Sequence, residues 1–205
     1  MKLALKTPRF AVFDDWLAPE AFLRLAEHLH GYRYFSVTRD GKHGPDGTLA
    51  ELQGAMSAEE LRLLGGKFVV RRAVPGLDEG KLVYPSGTPL DAVLDSVWDR
   101  LPELEDYLGK PTLDWHRLGA GPRLYPKGGG LPEHDDGDSS GTFVLYAHRR
   151  WSEAWGGALE IGGRLIWPEP NRCAFIKGGT PHTVQPVLGE EPRMSVIGYA
   201  RKPRS

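Results

Sequence analysis

The feature that most constrains the fold of this chain is a series of short β-type segments separated by turn residues, running from about residue 112 to residue 201. The clearest signal is a hairpin, in which residues 158–161 and 164–167 flank Gly162-Gly163. Further segments rich in β-forming residues are 142–148, 172–176, 182–187 and 193–200. Successive short strands with little helix between them predict an antiparallel sandwich or barrel of the jelly-roll type.

The first half of the chain shows helical periodicity instead. Pro19 opens a segment with apolar residues at helical spacing as far as Leu29. Ser57 and Glu60 have the spacing of a capping box ahead of a leucine-rich run, which predicts a second helix. Thr88-Pro89 precedes a third apolar stripe. We therefore expect a mainly β protein with N-terminal helices, in which about three helices buttress the sheet.

Length and composition favour one domain. A chain of 205 residues that is 40% hydrophobic can build a single core. We expect residues 1–205 to form one domain, in which residues 1–111 supply the helical support and the first strands. Residues 112–201 would then form the jelly-roll core.

Charge and cysteine content exclude several classes. The 26 basic and 27 acidic residues nearly cancel, so no overall field favours nucleic acid or an anionic membrane. No run reaches the roughly 20 apolar residues of a membrane helix, and the first eight residues have too short an apolar run to predict a signal peptide. Cys173 is the single cysteine, so no internal disulfide can form. This pattern is typical of a reducing compartment, and the prediction is a cytoplasmic protein.

Three polar residues in the β-rich half have the character of metal ligands. His134 and Asp136 would share a face of a strand, while Asp135 would point away. His182 heads a later β-type run and could meet them inside a barrel. Two imidazoles and one carboxylate are the set that holds ferrous iron and leaves one face open. The alternatives are an acidic surface turn around Asp136 and a structural, hydrogen-bonding His182.

A candidate anion site follows along the chain. Arg193 and Ser195 would share one face of the last strand, and a guanidinium with a hydroxyl suits a carboxylate. Tyr125 and Tyr146 lie on strands expected to be neighbours and could donate hydroxyls to the same ligand. A surface arginine and buried core tyrosines remain the structural alternatives.

The order of these motifs resembles a known family, the iron(II)/2-oxoglutarate-dependent dioxygenases, and in particular their prolyl-hydroxylase-like branch. The similarity covers roughly residues 120–200, and residues 12–20 also resemble the start of such domains. The residues that carry it are Leu124-Tyr125-Pro126, His134-Asp135-Asp136, 143–146, Trp151, 156–160, Pro168, 171–175, 181–187 and Arg193-Met194-Ser195. The chain departs from the branch at Tyr146-Ala147-His148, where Tyr-Leu-Asn is usual.

The resemblance implies a double-stranded β-helix, the cupin-like form of the jelly roll, with Fe(II) as cofactor and 2-oxoglutarate as co-substrate. Molecular oxygen would be the second co-substrate, and ascorbate could serve as reductant. The implied metal ligands are His134, Asp136 and His182. Arg193 and Ser195 would bind the distal carboxylate of 2-oxoglutarate, assisted by Tyr125 and Tyr146.

The expected reaction is hydroxylation of an unactivated C–H bond of a small molecule, an amino acid or a peptidyl residue, coupled to decarboxylation of 2-oxoglutarate to succinate. Halogenation is excluded, because a halide needs the position of Asp136. Nucleic-acid repair is disfavoured, because Tyr199 stands where that branch carries a second arginine. We thus expect neither a nucleic-acid nor a membrane partner. Two alternatives remain open: a non-enzymatic jelly-roll binding module and a metal-dependent cupin enzyme that does not use 2-oxoglutarate.

Overall fold

The chain forms two antiparallel sheets with helices on one side. The structure is a computed structural model that describes residues 1–56, 60–67, 69–75 and 83–202. The strands in chain order are β1 (Lys2–Lys6), β2 (Phe10–Asp14), β3 (Arg33–Thr38), β4 (His43–Thr48), β5 (Leu61–Gly66), β6 (Val70–Ala73), β7 (Arg117–Tyr125), β8 (Leu131–His134), β9 (Ser139–Tyr146), β10 (Leu159–Ile161), β11 (Arg164–Ile166), β12 (Cys173–Lys177), β13 (His182–Val184) and β14 (Arg193–Arg201). The helices are α1 (Pro19–His30), α2 (Leu49–Ala55), α3 (Leu90–Trp98) and α4 (Leu101–Leu108), and a 3₁₀ turn spans Glu153–Trp155.

Two of the expected helices form as the sequence predicts. Helix α1 begins at Pro19, where the missing amide hydrogen costs nothing, and buries its apolar stripe. The stripe that follows Thr88-Pro89 is divided between α3 and α4, and Pro102 starts the second of these. The residues that the structure describes therefore contain four helices rather than about three.

The prediction of a helix from Ser57 and Glu60 is wrong. Ser57 lies outside the described residues, and the leucine-rich run after Glu60 is strand β5, which pairs with β3 and β7. A capping box does form one segment earlier. The Thr48 hydroxyl accepts from the Glu51 amide at 3.3 Å, and the Glu51 carboxylate accepts from the Thr48 amide at 2.8 Å, which starts α2. Strand pairing on both sides outweighs the local helical preference of the leucines.

Within the described residues the large sheet has ten strands, with β1-β2-β12-β9-β14-β7-β5-β3-β4 along its length and β6 beside β7. The small sheet has the order β11-β10-β13-β8. This arrangement confirms the predicted jelly roll, and the hairpin at Gly162-Gly163 forms between β10 and β11. Strands from both halves of the chain share the large sheet, which supports the proposal of one domain over residues 1–205.

Two hydrophobic cores lie on opposite faces of the large sheet, and side-chain alternation feeds both. In β12, Cys173 and Phe175 pack with the helices in the first core. Ala174 and Ile176 point the other way and pack with residues of the small sheet in the second core. Where Ala174 and Ile176 lie, the space between the two sheets is therefore apolar.

Within the described residues, no helix combines the length and apolar character needed to cross a bilayer.

Candidate metal centre and co-substrate site

The three predicted metal ligands meet at one edge of the small sheet. His134 ends β8 and His182 begins β13, and the two residues are direct partners in the antiparallel ladder. Their ring centroids lie 4.3 Å apart. Asp136 follows in the turn, with its Oδ2 3.7 Å from Nε2 of His182. One donor atom from each of the three residues lies within 4.8 Å of the other two.

The turn after β8, rather than strand alternation, brings Asp136 to this position. Strand β8 ends at His134, so alternation along a strand, which we expected, does not place Asp136 beside His134. Asp135 points to solvent as predicted, and its carboxylate accepts from the Gly137 amide at 3.1 Å. That hydrogen bond closes the turn in the manner of an Asx-turn. Asp135 therefore belongs to an exposed turn, whereas Asp136 points towards the histidines.

Hydrogen bonds fix the orientation of both imidazoles. Nδ1 of His134 lies 2.9 Å from the Pro132 carbonyl, and Nδ1 of His182 lies 2.9 Å from the Thr180 carbonyl. A carbonyl only accepts, so in the neutral ring Nδ1 carries the proton and Nε2 keeps its lone pair. This is how metal-binding histidines are commonly held.

The electrostatic surroundings also suit metal ligation. Burial lowers the pKa of His182, and His134 lowers it further, although the Thr180 carbonyl and Asp136 act in the opposite direction. The neutral imidazole, which is the form that binds a metal, is thus favoured. The Asp136 carboxylate is oriented by the Thr142 hydroxyl, which donates to Oδ2 at 2.7 Å. Two imidazole nitrogens and one carboxylate oxygen, each oriented by a hydrogen bond, are a ligand set that fits Fe(II).

Arg193 is a buried cation beside these ligands. Only 1% of its surface is exposed, and its guanidinium carbon lies 5.2 Å from the ring centre of Tyr125 and 4.9 Å from that of Tyr146. Nη2 donates to the Tyr146 hydroxyl at 3.4 Å. Nε and Nη1 of Arg193 and the Tyr125 hydroxyl are buried without a hydrogen-bond partner of normal geometry. Buried polar groups are nearly always paired, so this site lacks an acceptor that a bound carboxylate would supply.

The anion site and the metal ligands share one cavity. Arg193 and Tyr125 line it together with His134, Asp136 and His182. A 2-oxoglutarate molecule needs a cation for its distal carboxylate and a metal for its other end. The donor set and the unpaired guanidinium atoms therefore fit this co-substrate.

Comparison with known families decides the assignment. Residues 120–201 match the sequence model of the 2OG-Fe(II) oxygenase superfamily. This region is a 2OG-Fe(II) oxygenase domain. The prediction of an Fe(II)/2-oxoglutarate-dependent dioxygenase is confirmed at that level, as are Fe(II) and 2-oxoglutarate as its cofactor and co-substrate.

Solved structures show the same fold. A prolyl-4-hydroxylase from Pseudomonas putida superposes with a TM-score of 0.60 at 17% identity, over 95% of this chain and 93% of that one. A prolyl hydroxylase from Trichoplax adhaerens, solved in complex with a hypoxia inducible factor peptide fragment, gives 0.59 at 16% identity, over 96% and 84%. A 2OG-Fe(II) oxygenase family oxidoreductase from Burkholderia pseudomallei gives 0.58 at 14% identity, over 96% and 86%. No curated protein sequence matches the chain.

Tyr146 and Ser195 are the other two residues predicted to bind the co-substrate. Tyr146 contacts the Arg193 guanidinium, and burial raises the pKa of the phenol, so the hydroxyl stays protonated and able to donate. Ser195 is fully buried, and its hydroxyl donates to the main-chain oxygen of Arg123 at 3.0 Å. A direct contact between Ser195 and 2-oxoglutarate thus stays a prediction.

The departure at Tyr146-Ala147-His148 lies behind the anion site. His148 is buried, and its ring centroid lies 4.6 Å from that of Trp151 and 6.2 Å from that of Tyr146. Nε2 of His148 contacts the Pro168 carbonyl. Burial lowers the pKa of His148 to about 4. The histidine therefore packs behind Tyr146 as a neutral ring.

Sequence reasoning missed two residues of the oxygenase site, Thr142 and Arg123. Thr142 orients Asp136, and the turn that leads from Asp136 into β9 brings the two residues together. Arg123 lines the cavity with the metal ligands. Arg123 could have been predicted, because it lies two positions before Tyr125 in the same strand and must share its face.

Proposed function

We propose that this chain is an Fe(II)/2-oxoglutarate-dependent dioxygenase that hydroxylates an unactivated C–H bond of a small molecule, an amino acid or a peptidyl residue. The reaction is coupled to decarboxylation of 2-oxoglutarate to succinate. The observation that carries the proposal is Arg193, a buried cation with two unpaired donors, in the same cavity as two imidazoles and a carboxylate.

In this proposal His134, Asp136 and His182 hold the iron through one atom each. The two histidines present Nε2, because the Pro132 and Thr180 carbonyls hold their Nδ1 protons. When bound, the iron with 2-oxoglutarate and oxygen supplies the oxidising power for C–H hydroxylation.

The remaining side chains bind and orient the co-substrate. The unpaired donors of Arg193 and the Tyr125 hydroxyl would supply hydrogen bonds to the distal carboxylate. Tyr146 keeps the guanidinium in place by accepting from Nη2. The surrounding strands exclude water from this end of the cavity, which strengthens the charge-assisted hydrogen bonds. The mechanism requires no side chain as a general base.

The Trichoplax adhaerens enzyme is described with a bound peptide, which favours including peptidyl residues among the substrates to be screened. The cytoplasm remains the proposed location, because Cys173 is a buried free thiol and reducing conditions preserve such a group.

The test is succinate formation from 2-oxoglutarate by the Fe(II)-loaded protein under air, with and without candidate substrates. We expect turnover in the wild type and a loss of roughly a hundredfold or more in Arg193→Ala, because two charge-assisted hydrogen bonds disappear. No turnover and no 2-oxoglutarate binding would favour a non-enzymatic binding module. Iron-dependent oxygen consumption that survives Arg193→Ala would favour a cupin enzyme that does not use 2-oxoglutarate.

A further inference from the structure

A groove lies next to the cavity that holds the metal ligands. It has a volume of about 830 Å³, which is within the range of ligand sites in proteins. Arg123, Ile197 and Tyr199 line both the groove and the metal cavity, so the two spaces adjoin at these side chains.

The walls of the groove follow from the pairing of β7 with β14. Side chains alternate, so one face of each strand packs on the helices and the other faces the groove. Along that second face the register pairs Arg123 with Ser195 and Arg117 with Arg201. The span from Arg123 to Arg117 is roughly 20 Å at the usual rise of a strand. The groove therefore runs from the metal cavity to the far end of the same two strands.

Glycines and one aromatic ring shape the surface between these ends. Gly119 lines the groove and leaves space that a side chain would fill. At Gly65 a Cβ atom would lie 2.3 Å from the ring of Phe35, so this ring lies directly on the glycine backbone. Phe35 is held from the other side by His43, whose ring stacks on it at 5.1 Å. The result is an open groove with an apolar wall at Phe35.

Positive charge dominates the lining. Among the lining residues that the structure describes, the basic side chains are Arg71, Arg117, Arg123, Arg201 and Lys202, and the acidic one is Asp138. Asp138 is already paired with Arg201. Within the described ranges, neither Arg71 nor Arg123 forms an ion pair with a carboxylate. For a chain with a net charge of −1, this is a local concentration of cations next to the site of chemistry.

Arg123 remains charged in this position. An arginine guanidinium stays protonated in proteins, and Arg123 is only partly buried. A guanidinium that is partly buried, charged and without an ion-pair partner is suited to bidentate binding of an anion. Since Arg193 is deeper in the cavity and suits 2-oxoglutarate, Arg123 is available for a different ligand.

We infer that the substrate carries a carboxylate that pairs with Arg123, while the carbon to be hydroxylated lies at the metal and the rest of the molecule extends along the groove past Arg71. This inference rests on the proposed function and names the substrate class. Among the described residues, Arg123 is the one basic side chain that lines both the groove and a space shared with His134, Asp136 and His182, and its two-donor edge matches the two oxygens of one carboxylate. The carboxylate can belong to a free acid or to an acidic residue of a peptide.

The experiment compares matched acids and amides on the holoenzyme. The first arm uses free amino acids against their α-amides. The second uses blocked five-residue peptides with Asp or Glu against the same peptides with Asn or Gln. Binding is measured calorimetrically on the Fe(II)/2-oxoglutarate-loaded protein without oxygen, and stimulation of succinate formation is measured in air. We expect the acid of a productive pair to bind roughly tenfold to a hundredfold more tightly than its amide. The arm in which this occurs identifies the source of the carboxylate.

Variants then test the role of Arg123. Arg123→Gln should reduce the ratio of acid affinity to amide affinity to about one. Arg123→Lys keeps the charge but loses the paired donors of the guanidinium, so it should retain part of this preference. Arg24→Gln is the matched control, since it removes the same charge from the exposed face of α1 and should leave the ratio unchanged.

Each outcome has a defined meaning. Equal binding of acids and amides by the wild type, an unchanged ratio in Arg123→Gln, or tighter binding of a single-stranded oligonucleotide than of any acid would overturn the inference. A weaker affinity for 2-oxoglutarate in Arg123→Gln, with the acid-to-amide ratio intact, would assign Arg123 to the co-substrate instead. Succinate formation without any acid preference would sink this inference alone, whereas no 2-oxoglutarate binding or turnover in the wild type would sink it together with the proposed function.

Discussion

Replacing Arg193 by methionine should separate binding from stability. Methionine is long and apolar, so it can fill the space between Tyr125 and Tyr146. The variant loses the two donors that we assign to the distal carboxylate of 2-oxoglutarate. Two charge-assisted hydrogen bonds are worth about 3–6 kcal/mol together, which corresponds to a loss of roughly 10² to 10⁴ in affinity.

The free energy of unfolding should change little in the same variant. Leaving buried donors unsatisfied costs about 1–3 kcal/mol, and methionine removes that cost. The two cation–π contacts of Arg193 contribute about 0.5–2 kcal/mol each, and methionine removes these as well. The two effects nearly cancel, so the ligand-free variant should unfold within about 1 kcal/mol of the wild type.

Arg172→Met is the matched control, because its guanidinium has partners within the protein. Nε and Nη2 of Arg172 lie 2.6 and 3.2 Å from the two carboxylate oxygens of Asp14, and Nη1 donates to the Trp167 carbonyl at 3.0 Å. Both partners of this pair are partly buried. Its loss should cost about 2 kcal/mol and lower the Tm by roughly 4–8 °C, with 2-oxoglutarate affinity preserved.

The assay is thermal unfolding of the metal-free proteins together with calorimetric titration of 2-oxoglutarate into their Mn(II)-loaded forms, which bind without turnover. The two variants should show opposite patterns: Arg193→Met should lose 2-oxoglutarate affinity and keep stability, and Arg172→Met should do the reverse. If Arg193→Met lost several kcal/mol of stability while it bound 2-oxoglutarate within a few-fold of the wild type, Arg193 would be a structural residue and the assignment of the anion site would be wrong.

Three other perturbations test the remaining parts of the account. His134→Ala and Asp136→Ala should each weaken Mn(II) binding by roughly a hundredfold or more, whereas Asp135→Ala should stay within a few-fold, as measured by metal titration. The pKa of His148 is about 4 in the folded chain against about 6.5 unfolded, so the unfolded state binds the extra proton and stability falls as the pH drops from about 6.5 towards 4. In urea unfolding, the free energy of unfolding should be about 2 kcal/mol lower at pH 4.5 than at pH 7 because of His148, and His148→Phe should abolish this difference. Gly198→Ala should destabilise the protein by about 1–3 kcal/mol or prevent folding, because its Cβ would lie 2.1 Å from an aromatic ring, and an unchanged Tm would contradict the packing described here.

The β-rich half was predictable because local signals there agree with the tertiary structure. The hairpin at Gly162-Gly163 and the segment that became β12 combine β-forming residues with flanking turns. The region before α3 was harder to predict, because strand β5 is formed by leucines that favour helix when considered alone. Its identity is set by pairing with β3 and β7, and β3 was not predicted. Long-range pairing of this kind leaves no local pattern in one sequence.

The candidate site also has a part that the sequence predicts and a part that only the fold reveals. His134, Asp136 and His182 could be chosen from chemistry and order alone, because few residue types bind iron and these three head or follow β-type segments. The hydrogen bonds that orient them come from the Pro132 and Thr180 carbonyls, and backbone acceptors are present everywhere in a sequence. Their positions become known only with the fold.

The two sides of the β7–β14 pair show why stability and ligand binding can be changed separately in this chain. Leu124 and Met194 face the helices and contribute to the first core. Tyr125 follows Leu124 in β7, and Arg193 precedes Met194 in β14. By alternation, Tyr125 and Arg193 face the cavity instead. Substitutions on the helix face should therefore act through unfolding, whereas those on the cavity face should act on ligands. The buried cation of Arg193 fits this division, because without a bound carboxylate its unpaired donors do not stabilise the fold and a bound 2-oxoglutarate would supply their partner.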